Sequence, residues 1–65
     1  MNNISDAIVK DYALALNRAR TTLSENVLQE ARDEMARMRE AVTVLWPGLA
    51  FDLERAAMYL INNAK

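Results

Sequence analysis

Leu28, Ala31, Met35, Met38, Val42, Leu45 and Leu49 recur at alternating spacings of three and four. Only a helix brings such positions onto one side, so this stretch reads as an amphipathic helix whose apolar seam lies along another helix. No catalytic, metal, nucleotide or nucleic-acid motif is laid over the pattern. The sequence therefore specifies how the chain is built and which surfaces remain for a partner, and leaves its activity unspecified.

A chain of 65 residues is one domain and buries only roughly 60% of the surface its unfolded form exposes. Without cysteine it has neither a disulfide framework nor a thiolate metal site, which leaves self-association as the remaining staple for a domain this small. A homodimer is the expectation, with Leu28, Met35, Met38, Val42 and Leu45 of the central seam at its interface. The start, Met1-Asn2-Asn3-Ile4-Ser5-Asp6, lacks the basic and apolar regions of a signal peptide. The longest uncharged stretch, Ala41 to Phe51, is interrupted by Pro47-Gly48 and falls well short of the ~20 apolar residues a bilayer demands. The expected location is the cytoplasm, with no membrane partner.

The first segment, about 4–20, carries Val9, Tyr12, Leu16, Ala19 and Leu23 at the same three-four spacing, widened by Ile4, Ile8 and Ala15. A face that wide suits a helix touching two neighbours. Tyr12 is read as a core aromatic with its hydroxyl at the rim. Asn3 or Ser5 serves as N-cap, and Asp6 with Lys10 has i,i+4 spacing. Thr21-Thr22-Leu23-Ser24 is the join. Thr22 with Glu25 has capping-box spacing, and Ser24 can cap instead; consecutive β-branched residues and a serine favour a turn here. Leu23, Val27, Ala31 and Met35 also continue in steps of four, however, so a single long helix with a stutter stays open as an alternative.

The central helix, about 25–46, presents Glu30, Arg32, Asp33, Glu34, Arg37, Arg39 and Glu40 on its outer face. Asp33 with Arg37 and Glu34 with Arg37 have ion-pair spacing, worth only about 0.2–0.5 kcal/mol each. Mixed charge of this kind keeps a solvated face soluble. Within it, Arg32 and Arg39 stand seven apart on one stripe and could form a ladder for a carboxylate or phosphate. Pro47 disfavours helical geometry at Trp46, and Gly48 frees the backbone, so the chain bends at Trp46-Pro47-Gly48. The third helix, about 49–63, then starts with Asp52 and Glu54 in its first turn. Ala50, Leu53, Ala57, Leu60 and Ala64 make its seam, while Phe51, Met58 and Ile61 with Tyr59 face elsewhere. Lys65 suits the negative end of the helix dipole.

The fold class expected is thus all-α: a short helical bundle or hairpin of two to three helices, a single domain over 1–65, completed by homodimerisation. Chemistry is scarce. The chain has no histidine, hence no ordinary general base near neutrality and no imidazole ligand. Its single glycine rules out a glycine-rich phosphate cradle. Neither Asp33 with Glu34 nor Glu30 with Glu34 has calcium-loop spacing. No enzyme, cofactor or metal is expected.

Eight basic side chains against nine acidic count against a polyanion as the main partner. The reading that remains is a small regulator or adaptor acting on another protein, with Trp46, Phe51, Arg39 and Arg32 as its contact residues, since Trp, Tyr and Arg are enriched at binding hot spots; Trp46 has the alternative reading of a structural plug packed back on Leu49 and Leu53. The alternative is a helical nucleic-acid binder presenting Arg18, Arg20, Arg32, Arg37 and Arg39 to a phosphate backbone.

Overall fold

The computed structural model describes residues 3–63, with side chains described from residue 6 onward. Three helices make up this span: α1, Asn3–Thr21; α2, Glu25–Leu45; and α3, Pro47–Asn62. The all-helical expectation holds, and the join between the first two segments is a turn. Thr21 closes α1 by returning its hydroxyl to the Asn17 carbonyl (2.9 Å), and Thr22 N–H still reaches the Arg18 carbonyl (3.0 Å). Ser24, extended at φ −91° and ψ 125°, then caps α2 by accepting from Val27 N–H at 3.3 Å. Of the two candidate caps Ser24 is the one used; the Thr22 hydroxyl instead accepts from Ser24 N–H (3.1 Å) and stiffens the turn.

α1 and α2 run antiparallel, because moving back along α1 from Arg18 to Tyr12 moves forward along α2 from Glu34 to Arg39. Each helix contacts both of the others. The molecule is flattened, measuring 36 × 28 × 16 Å along its principal axes.

The core is small, and half of it is alanine. Tyr12, Met35, Val42 and Leu53 supply its bulk, while Ala13, Ala15, Ala31 and Ala57 sit where the helices meet. Ile8, Val9, Leu16, Met38, Trp46, Leu49 and Ile61 pack around it half-buried. The seam holds from Leu28 to Val42 and closes the monomer, with Ala31, Met35 and Val42 buried against the chain's own helices, whereas Leu45, placed in the same seam, is exposed.

Several expectations need correcting. Leu23, placed in the α1 seam, stands beyond the end of the helix and is fully exposed. The second apolar row of α3 does not act as one face: Ile61 packs on the core, whereas Phe51 is 93% exposed. The ion pairs expected for Asp6–Lys10, Asp33–Arg37 and Glu34–Arg37 do not form among the described residues; Glu34 instead meets Arg18 of α1 at 2.6 Å, and Asp33 accepts from Gln29 at 2.9 Å. Ser5 lies inside α1 and is not its cap, and the side chains of Asn3 and Ile4, like Ala64 and Lys65, fall outside what is described.

The bend between α2 and α3 is tighter than its sequence implies. One residue, Trp46 at φ −143° and ψ 79°, separates the two helices. Its N–H donates to the Val42 carbonyl (2.7 Å) and its own carbonyl accepts from Ala50 N–H (3.0 Å), so Trp46 ends α2 and opens α3. Pro47 occupies the first helical position, where its missing N–H costs nothing. This moves the start of α3 two residues earlier than expected. Asp52 and Glu54 consequently leave the first turn, and Gly48 adopts no positive φ.

The alanine contacts are directly testable. Ala57→Leu should force α3 away from its neighbours at a cost of about 1–3 kcal/mol, and Leu53→Ala should cost about 2–5 kcal/mol, both read from urea unfolding. An Ala57→Leu protein as stable as the parent would mean that α3 does not approach its neighbours at that point.

Candidate functional site

Three of the exposed large apolar side chains, Val44, Leu45 and Phe51, flank the α2–α3 bend. In the last turn of α2 Val42 faces the core, while Val44 is 77% exposed and Leu45 62%. On the other side of the bend, Phe51 projects from the outer face of α3 and is 93% exposed. Trp46 lies between them, half-buried, with part of its ring against the core. Large apolar groups left in water this way mark an interaction surface more often than a defect in packing.

The expected contact residues thus separate. Phe51 is free to meet a partner. Trp46 is shared between core and surface. Arg39 is exposed as a residue, yet its guanidinium donates through Nη1 to the Tyr12 hydroxyl at 2.8 Å, bridging α2 to α1. That bond satisfies the one polar atom of a tyrosine otherwise 1% exposed, as burial of a phenol requires. Arg32 is exposed and makes no ion pair among the described residues.

The expected dimer residues also divide. Met35 and Val42 are closed off by α1 and α3 and have little surface to offer a second copy. Leu28 and Met38 are half-buried, and Leu45 is open.

Of the arginines proposed for a phosphate backbone, Arg18 is paired with Glu34, Arg39 is bonded to Tyr12, and Arg20 lies against the Met58 sulfur at 3.5 Å. Arg32 and Arg37 remain exposed among the acids of α2.

A second feature has no counterpart in the sequence reading. α1 and α3 leave an open groove of about 750 Å³ between them. Val9 and Ala56, both half-buried, lie low in it, and Tyr59 and Leu60 stand more exposed along its α3 side. Asp6, Lys10, Asp52 and Arg55 supply its charges. Tyr59 and Val44 are 68% and 77% exposed; the sequence places Tyr59 beside the second apolar row of the last helix and gives Val44 no role. Their signal was a large apolar or aromatic side chain off the seam of its own helix, and by itself that is a weak one.

Among the described residues no group of three or more acidic side chains is placed to hold a metal ion, and no helix is long and apolar enough to cross a membrane. No protein-family model matches the chain, and no characterised protein or solved structure is similar enough to count as a relative.

The Tyr12–Arg39 bridge makes a prediction of its own. Tyr12→Phe should cost about 0.5–1.5 kcal/mol. Arg39→Met in the Tyr12→Phe background should add less than it does alone, because the two changes remove one interaction. Strict additivity in a double-mutant cycle would show that the bridge is energetically idle.

Proposed function

We propose that this chain is a small non-enzymatic helical regulator or adaptor of the cytoplasm, acting as a homodimer, that binds and modulates another protein. The observation that carries this reading is the bend itself. Val44, Leu45 and Phe51 stand in water on either side of a junction that a single residue holds in place. An anchor presented from a fixed backbone loses little freedom on binding, which is what separates a hot spot from an incidental apolar residue.

Phe51 is the anchor in this proposal, and the outer part of Trp46 extends it. Arg39 contributes from the rim with the guanidinium donors that Tyr12 leaves unused. Arg32, about 10 Å further back along the α2 stripe, adds a charge that meets carboxylates on the partner. The charged positions set orientation and encounter rate, and the apolar ones supply affinity. The pairing of Arg18 with Glu34 and the near balance of charge favour a protein surface over a nucleic-acid backbone.

The test is affinity capture with the tagged protein from its own host at moderate salt, repeated with Phe51→Ala. The variant should fold as the parent does, since it loses no buried contact, and should bind the captured protein more weakly by at least about 2 kcal/mol, roughly thirtyfold. Undiminished binding would overturn the assignment of the bend as the contact surface. Steeply salt-dependent retention on heparin or labelled DNA would instead support the nucleic-acid alternative.

A further inference from the structure

We infer that the groove between α1 and α3 is the seat of a second copy of this chain, the Tyr59 ridge of each copy entering the groove of the other. The inference deepens the homodimer reading above, on which it rests, and places the interface away from the α2 seam.

The surface area of the monomer points to a second copy. A compact monomer of 7.4 kDa should expose roughly 4,200 Å², and this chain exposes 4974 Å². Its radius of gyration, 11.8 Å, likewise exceeds the roughly 10.7 Å expected for its length. The excess area approaches the roughly 800 Å² that one partner contributes to an interface of standard size. A flattened three-helix unit with an alanine-rich core thus has area enough to give to a second copy.

The groove's chemistry selects the occupant. Two acids, Asp6 and Asp52, and two cations, Lys10 and Arg55, surround it. A ligand of one sign would meet two attractive charges and two repulsive ones. A copy of the same surface brings the same four charges, and a two-fold interface pairs unlike positions reciprocally, so that each acid of one copy can face a cation of the other. Such rim pairs contribute little affinity and fix register.

The shape agrees. Val9, Ala56, Tyr59 and Leu60 make much of the groove's lining apolar, and Tyr59, 68% exposed on its α3 side, is the side chain most able to project as a ridge into a second copy. Groove and ridge share one face, as a self-complementary surface requires. Packing ridge into groove in both directions assembles α1 and α3 of the two copies into a four-helix arrangement. Tyr59 and Arg55 are of the residue types that dominate interface energetics. The α2–α3 bend, with Phe51, is left for the other partner.

Sedimentation equilibrium across the micromolar to millimolar range tests the inference, with far-ultraviolet circular dichroism as the check on folding. The parent should dimerise, and its melting temperature should rise with concentration. Tyr59→Glu, at an exposed position, should keep its helix content and associate at least about tenfold more weakly. Ala56→Trp should fill the groove with the same effect. Phe51→Glu should dimerise normally and lose the captured protein. A parent that stays monomeric throughout would overturn the dimer and leave the partner surface at the bend untouched. A dimer insensitive to Tyr59→Glu and Ala56→Trp, or one abolished by Phe51→Glu, would overturn the groove as its seat.

Discussion

The close approach of the three helices at alanine governs the rest of this structure. Ala31 and Ala57 are wholly buried and Ala15 nearly so, and a residue with no side chain beyond Cβ does nothing to hold neighbouring backbones apart. Helices drawn together in this way enclose little volume. Four larger side chains, Tyr12, Met35, Val42 and Leu53, fill it. Apolar side chains beyond that number must stay at the margins. Exposure of Phe51, Val44 and Tyr59 is the counterpart of a core built from small residues, and each of them lies where a helix ends or faces away from its neighbours.

Polar contacts then fix how the closely packed helices are aligned. Tyr12 could not occupy the centre of α1 with an unpaired hydroxyl, and Arg39 of α2 supplies the donor from outside the core. Arg18 with Glu34 sets the same antiparallel alignment further along the pair. As an exposed ion pair it adds at most about 1 kcal/mol, so its part is to favour one register over its neighbours. No described buried side-chain nitrogen or oxygen lacks a hydrogen-bond partner, which is what a small core with one polar atom at its edge can achieve.

The division into helices was legible because it depends on local chemistry. The three-four recurrence in α2, the serine before Glu25 and the proline after Trp46 each act within a turn or two of themselves, and the helices begin and end close to where those signals lie. Proline was read for the helix it stops rather than the one it starts, which misplaced the first turn of α3 by two residues. Side-chain partners were harder to read. Glu34 has Arg37 one turn away, yet it meets Arg18 sixteen residues earlier in the chain, because an exposed carboxylate gains nearly as little from one cation as from the other and the packed backbones decide which is nearer. Leu23 shows a related limit, being fully exposed past the end of α1: periodicity groups residues onto a face without saying where a helix ends. The groove had no signal in the sequence at all. Val9, Ala56 and Tyr59 come from two helices with a third between them in the chain, and only their meeting in space gives them a common property.

The junction at Trp46 also bears on how this chain can vary. Two helices separated by a single non-helical residue are in a fixed rotational phase, since that residue's N–H completes one helix and its carbonyl begins the next. Adding or removing one residue there would turn α3 by about 100° relative to α2, carrying Leu53 and Ala57 out of the core and bringing charged positions in. Length changes are readily absorbed by flexible loops. At this bend there is no slack to absorb them, so descendants of this sequence should diverge by substitution at the junction and by insertion only in the turn between α1 and α2.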